Sequence, residues 1–332
     1  MSGLSKDMSC WISGDVPGAE NLEFCTRPVP EAKSDTVVIQ VKAAALNFSD
    51  LLMIDGTYQV RPPRPFVPGQ EVAGIVIATG ENCRWKVGDR IASKVFWGGF
   101  AEYVEVREDM AIPIPDNMGF AQAVALPVAY MTAMVALHHS VSVGPQDRVL
   151  VHAAAGGVGL AAVEIAHAAG AQVIGTAGSA EKRALAKQHG ADHTVDYREP
   201  NWKDQVKELT GDKGATIIVD PVGGDVALQS LRCIARYGTL LIVGFASGEI
   251  AKLPSNYLLL KSARAQGVLW SHDQDTEMVV HMTDRLGKLL DSGMINPVVC
   301  DNYTLSDLPK ALKDLGNRGT MGKVVLTVSG GE

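Results

Sequence analysis

The chain has no two cysteines at the two-residue spacing of a zinc knuckle or a redox motif; Cys10, Cys25, Cys83, Cys233 and Cys300 are widely scattered. This argues against a zinc ribbon and against a CxxC thiol–disulfide centre. The five read as reduced, intracellular thiols, small buried hydrophobes rather than nucleophiles, because no site context singles one out. No run of Lys or Arg stands out, and a formal charge of −7 with a pI near 5.6 offers no field to draw in a polyanion. Nucleic acid is therefore not an expected partner. The first residues, Met1-Ser-Gly-Leu-Ser-Lys-Asp-Met, lack the apolar core of a secretory signal, so a cytoplasmic protein is expected. The most apolar stretch, 123–137, is expected to be too short to cross a membrane and to form a buried helix instead. Repeats, low-complexity tracts and long polar linkers are also missing, so the domains should be closely joined.

What is present is ordinary globular composition, 46% hydrophobic and 20% charged over 332 residues, a length that favours two packed cores. Up to about Met118 the pattern is short strands broken by Pro and Gly: Val37, Ile39 and Val41 alternate with polar residues, and apolar runs follow at 71–78, 90–95 and 100–106. This predicts a compact, partly closed β domain. Two stretches stand apart from plain scaffold, Asn47-Phe48-Ser49-Asp50 with Tyr58 beyond it, and Gly69-Gln70-Glu71. Each sets polar side chains at a strand edge, although turn capping accounts for Asn47 or Asp50 equally well.

From Ala123 onward, helical segments alternate with short apolar strands. Strands are predicted at 149–151, 173–175, 194–196, 216–220, 239–244 and 265–270, with helices near 202–209 and 226–235. That alternation predicts an α/β fold with a doubly wound parallel sheet of Rossmann type, whose strand C-termini share one edge. A helix at 275–290, an irregular stretch through Tyr303, a helix at 305–315 and a last strand at 323–328 follow. The lone final strand is expected to return to the first domain. The divisions are 1–124, 125–270 and 271–332.

The first βαβ unit carries Ala155-Gly156-Gly157-Val158-Gly159 between strand and helix. Gly156 and Gly157 let backbone N–H groups approach a pyrophosphate at the helix N-terminus, and Gly159 lets helix and strand pack closely. A carboxylate that would hold a ribose 2′-hydroxyl is expected about twenty residues on. Thr176 stands there, followed by Gly178, Ser179 and the cluster Glu181-Lys182-Arg183. Hydroxyls and cations without that acid suit a 2′-phosphate, with Lys182 and Ser179 as its partners, so NADPH is favoured over NADH. The alternative for Lys182, and the reading favoured for Arg183, is the solvated face of a helix start. Tyr197 can reach the same phosphate or the adenine, and Glu164, inside the first helix, is expected to be structural or solvent-facing.

Taken together, Asn47-Phe48-Ser49-Asp50, Gly69-Gln70-Glu71, Gly99-Phe100-Ala101-Glu102-Tyr103-Val104, Ala154-Ala155-Gly156-Gly157-Val158-Gly159 and Met321-Gly322-Lys323-Val324-Val325-Leu326 resemble the zinc-independent quinone oxidoreductases (zeta-crystallin-like) of the medium-chain dehydrogenase/reductase superfamily. The resemblance runs in order along nearly the whole chain. It implies a GroES-like β domain built from both chain ends, a Rossmann-type domain between them, an active site in the cleft and a homodimer formed through the cofactor domains, with 265–270 at the shared edge. It places the nicotinamide near Thr132, with Val243, Gly244, Phe245, Val268, Leu269 and Trp270 around it. Gly178, Lys182 and Tyr197 then serve the adenosine end, and Lys323 joins the cofactor-binding set.

The zinc alcohol dehydrogenases that this family resembles have a ligand cysteine where this chain has Asn47, a histidine where it has Gln70 and a third ligand near Val128. Amide and isopropyl groups are poor zinc ligands, and the cysteine-rich loop of a structural zinc is missing between Cys83 and Cys233, so no metal is expected. Without a Lewis acid, oxidation of an alcohol is disfavoured. A quinone needs no such help, and NADPH-dependent quinone reduction is the expected activity, with Asn47, Tyr58 and Gln70 as candidates to hydrogen-bond the quinone oxygen. Two other readings stay open: an NADPH-dependent enoyl or 2-alkenal double-bond reductase, in which Tyr58 delivers a proton, and a nucleotide-binding protein with little catalysis.

Overall fold

Strand formation follows the β-branched runs. In the computed structural model, which describes residues 6–328, the strands are β1 (Asp7–Ser13), β2 (Leu22–Pro28), β3 (Thr36–Ala45), β4 (Glu71–Thr79), β5 (Arg90–Lys94), β6 (Tyr103–Arg107), β7 (Ala111–Pro113), β8 (Arg148–Val151), β9 (Gln172–Thr176), β10 (His193–Val195), β11 (Ala215–Asp220), β12 (Ile234–Ile242), β13 (Arg264–Gly267), β14 (Val299–Thr304) and β15 (Lys323–Thr327). The chain divides into two compact units, Met1–Val128 with Pro297–Glu332, and Ala129–Asn296.

The first unit is a β domain. Its main sheet runs β14-β15-β3-β4-β5-β7, with β6 also paired to β3. β3 is the organising strand: one edge takes β4, and the other is shared by β6 along its first half and β15 along its end. Bounded on both edges, β3 buries Val37, Val38, Ile39, Val41 and Ala43–Ala45 almost completely, so the expected alternation with polar residues breaks at Val38, as it does in a strand covered on both faces. β1 and β2 form a separate antiparallel pair. The predicted return of the last strand is seen, β15 lying antiparallel to β3.

The second unit is a six-stranded sheet of order β10-β9-β8-β11-β12-β13, parallel throughout. This is the 3-2-1-4-5-6 order of the dinucleotide-binding fold, with its reversal between β8 and β11. The helices Gly157–Ala168, Ala180–Gln188, Trp202–Leu209, Gly224–Ser230 and Ser255–Lys261 connect successive strands.

Four sequence expectations need correction. The apolar helical run extends over Phe120–Ser140, 21 residues, and is long and apolar enough to cross a bilayer; it is largely buried inside the protein, as a core helix is. The helix expected to reach residue 235 stops at Ser230, and β12 takes over at Ile234. The stretch before Tyr303 is a strand, β14, pairing in parallel with β15. The crossing back to the first unit comes at Pro297 rather than at 271, because the helix Thr276–Asp291 lays Val279, Met282 and Leu286 into the second unit, against the helix around Met131–Met134.

Candidate active site

In the first unit, the end of β3 is flanked by the first residues of two antiparallel neighbours. Glu71 opens β4 opposite Ala45, Lys323 opens β15, and the Leu46 backbone N–H bonds Val324 O at 2.9 Å. Asn47, next in the chain, therefore falls between Glu71 and Lys323. Lys323 Nζ lies 2.6 Å from Glu71 Oε2 and donates to Asn47 Oδ1 at 2.5 Å; Asn47 Nδ2 donates to Glu71 Oε2 at 3.2 Å. Glu71 Oε1 accepts the backbone N–H of Val128 at 2.7 Å. One buried carboxylate thus ties together Asn47 and Val128, two of the positions compared above with zinc ligands, and a lysine ammonium occupies the amide oxygen that a cation would otherwise seek.

Asn47 also precedes the helix Phe48–Ile54, where Asp50 Oδ2 accepts the Asn47 backbone N–H at 2.7 Å. The capping explanation for Asp50 is correct as far as it goes. Asp50 is, however, fully buried, and burial pushes its carboxyl up to about 7 against the pull of the Asn47 N–H and the Lys323 charge. Gln70 is buried with its Oε1 accepting the Ser49 hydroxyl at 2.5 Å, which leaves the amide N–H groups as its donors to any further acceptor. Tyr58 is half-buried, and its phenol is held protonated by burial and by the charge of Asp50.

In the second unit, the turn after β8 puts Ala153 in the left-handed region (φ 49°), and its carbonyl accepts the Gly156 N–H at 2.9 Å. A Cβ on Gly159 would run into that carbonyl, so the close approach requires glycine here. The helix Gly157–Ala168 starts from Gly156 with no side-chain cap, leaving its first N–H groups for an anion. These residues fit a dinucleotide pyrophosphate at the β8/β11 reversal.

Thr176, where the ribose-binding acid was sought, points into the interior instead. Ser230 Oγ donates to Val226 O at 2.7 Å, so it accepts from His152 Nε2, 2.7 Å away, and His152 Nδ1 is left to accept the Thr176 hydroxyl at 2.9 Å. Burial lowers the His152 pKa and favours this neutral form. The residues that face outward at the end of β9 are Gly178 and Ser179. A Cβ on Gly178 would press on the Tyr197 ring, so these two are neighbours as expected. Ser179 Oγ caps the helix Ala180–Gln188 by accepting the Lys182 N–H at 3.3 Å. Arg183 is committed to Ala177 O and to Asp196, whose carboxylate also holds Arg198.

Trp270 Nε1 donates to Thr132 Oγ1 at 3.1 Å, so these two predicted nicotinamide neighbours meet. Val268 is buried, whereas Leu269 is exposed. Val243–Phe245 lie in a loop pinned to the end of β11 by Val243 N–H to Asp220 O at 2.9 Å and Ala246 N–H to Pro221 O at 3.0 Å. Glu164 is structural rather than solvent-facing; it is buried and bonded to Tyr130, His189 and the Asn296 N–H. The sequence reading missed Glu71 as the hub of the first unit's polar cluster. Its signal was a carboxylate at the head of the apolar run 71–78, a position that needs a buried cation.

Residues 157–285 match the family model described as zinc-binding dehydrogenase, and residues 33–116 match the alcohol dehydrogenase GroES-like domain. The chain is 37% identical over 310 residues to quinone oxidoreductase-like protein 2 of Rattus norvegicus, covering 92% of this chain and 88% of that protein. A quinone oxidoreductase of Pseudomonas syringae superposes with a TM-score of 0.89 at 33% identity, covering 96% of this chain and 99% of that one. The Escherichia coli quinone oxidoreductase complexed with NADPH gives the same TM-score at 30% identity, with 96% and 99% covered. The chain belongs to the zinc-independent quinone oxidoreductase-like family of the medium-chain dehydrogenase/reductase superfamily, a family of oxidoreductases.

Proposed function

We propose that this protein reduces quinones with NADPH and without a metal. The observation that carries the reading is the Lys323–Glu71–Asn47 cluster: Asn47 Oδ1 and Glu71 Oε2 are spent on an ammonium and Glu71 Oε1 on the Val128 N–H, so the site suits an acceptor that needs no Lewis acid. NADPH, when bound, supplies the hydride. The second unit's residues bind it: the N–H groups of Gly157–Gly159 receive the pyrophosphate, Gly156 keeping its own N–H on Ala153 O, Lys182 and Tyr197 take the 2′-phosphate with Gly178 and Ser179 beside them, and Thr132, Trp270 and the Val243–Phe245 loop position the nicotinamide. In the first unit, the Gln70 amide N–H groups and the Tyr58 hydroxyl donate to the quinone oxygen as negative charge develops there. Asn47 contributes less directly, because its amide already bridges Glu71 and Lys323.

The double-bond reductase reading draws on one feature, the half-buried Tyr58 phenol as a donor to an α-carbon, but burial and the charge of Asp50 raise its pKa and make it the weaker acid, which favours the quinone reading. Product analysis after NADPH oxidation with 9,10-phenanthrenequinone, 1,4-benzoquinone and crotonyl-CoA separates the two. Hydroquinone formation as the faster reaction supports the proposal, and faster saturation of the thioester overturns it.

The proposed assembly is a homodimer through the free edge of β13, a reading supported by the exposed Leu259, Leu260 and Leu269 in the chain around that edge. Leu260→Lys should shift the sedimentation coefficient to that of a monomer; an unchanged value contradicts this interface.

A further inference from the structure

Cys10 and Cys25 are fifteen residues apart in sequence, but β1 and β2 bring them directly opposite each other in antiparallel register. The flanking backbone groups fix the kind of pair they form. Trp11 N–H donates to Phe100 O at 3.0 Å and Glu102 N–H to Ser9 O at 3.0 Å, so both neighbours of Cys10 turn toward the 100–102 segment. The N–H and C=O of Cys10 itself then turn toward β2, making Cys10–Cys25 a hydrogen-bonded pair, with Cα atoms about 5.5 Å apart. Disulfides most often span about 5.5–6 Å between Cα atoms. As directly opposed residues of an antiparallel pair, the two put their side chains on the same face of β1 and β2. Cys10 is fully buried among Met8, Ile12 and Ala101, whereas Cys25 is half-buried at the edge of the same cluster.

We propose that Cys10 and Cys25 form a reversible redox site, closed to a cross-strand disulfide by hydrogen peroxide. Cys25, the accessible member, attacks a peroxide oxygen as its thiolate; an S–O bond forms, the O–O bond breaks, and the departing oxygen leaves as water after taking a proton. The Cys10 sulfur then attacks the Cys25 sulfur, forming the S–S bond and breaking S–O, and the Cys10 proton leaves with the second water. Two electrons pass from the two sulfurs to the peroxide. Cβ atoms in a hydrogen-bonded pair stand wider, at about 5.5 Å, than the roughly 3.8 Å of a disulfide. Closure therefore draws the strands together and leaves a strained bond that thiols reopen readily.

The full-length protein is treated with hydrogen peroxide, blocked with iodoacetamide and digested without reductant. The expected product is a peptide pair joined through Cys10 and Cys25, with two fewer titratable thiols in denaturant, reversed by reduced glutathione. Cys25→Ser should keep the fold and lose the linked pair, and Cys10→Ala should turn Cys25 from a disulfide partner into a sulfenic or sulfinic acid. Over-oxidation of Cys25 in the unmutated protein with Cys10 still free, or a link from either residue to Cys83 or Cys300, overturns the proposal.

Discussion

Lys323 Nζ lies 2.6 Å from Glu71 Oε2 with both side chains almost sealed from solvent. Such a pair contributes modestly while intact, but removing one member strands the other charge, typically at a cost of about 3–5 kcal/mol. Glu71→Gln should accordingly lower thermal stability sharply. Adding Lys323→Met in that background should recover much of the loss, since no buried charge is then unpaired. A double-mutant cycle of melting temperatures reads the coupling, and simple additivity of the two changes contradicts a direct pair.

Asp50 makes the protein sensitive to pH in a definite direction. Its carboxyl is raised to about 7 in the fold from its ordinary value of 3.8, so the folded state holds a proton that the unfolded chain has released. Its stabilising contribution is complete below the unfolded value and is lost as pH rises through the window from about 4 to 7. Asp50→Asn keeps the acceptor for the Asn47 N–H and removes the titration. In melts from about pH 5 to pH 8, the variant should gain on the parent protein as pH rises, by up to a few kcal/mol. Parallel curves for the two contradict the assignment.

Lys182 stands in the first turn of the helix that Ser179 caps, four positions after Gly178, the neighbour of the Tyr197 ring. If it meets the 2′-phosphate, Lys182→Ala should raise KM for NADPH about tenfold, the loss of one charge-assisted hydrogen bond, and leave KM for NADH nearly unchanged. Equal effects on the two nucleotides contradict the phosphate role.

The order of elements was legible wherever local sequence and final environment agree. The strands 149–151, 173–175 and 216–220 are short β-branched runs between helices with buried faces, and they form the centre of the parallel sheet. What was lost depended on partners distant in the chain. β14 carries Asp301 and Asn302 and reads as a loop, because it is a strand only by pairing with β15. Thr176 occupies the counted position for a ribose contact, but the alternation of β9 turns its side chain to His152. At the first unit's site, Asn47 and Gln70 were visible as unusual polar residues at strand edges. Glu71 stands in the same stretch, but its role was hidden, since it depends on Lys323, which reaches it only when the last strand folds back onto β3. The pairing of Cys10 with Cys25 was hidden for the same reason, its spacing having meaning only in the register of β1 with β2.

The most direct test of metal-free, NADPH-dependent quinone reduction is the ratio of kcat/KM on 9,10-phenanthrenequinone to that on crotonyl-CoA, measured with NADPH before and after exhaustive dialysis against a chelator. The ratio should lie well above one, and dialysis should leave it unchanged. A ratio below one, or quinone activity lost on dialysis and restored by zinc, would contradict it.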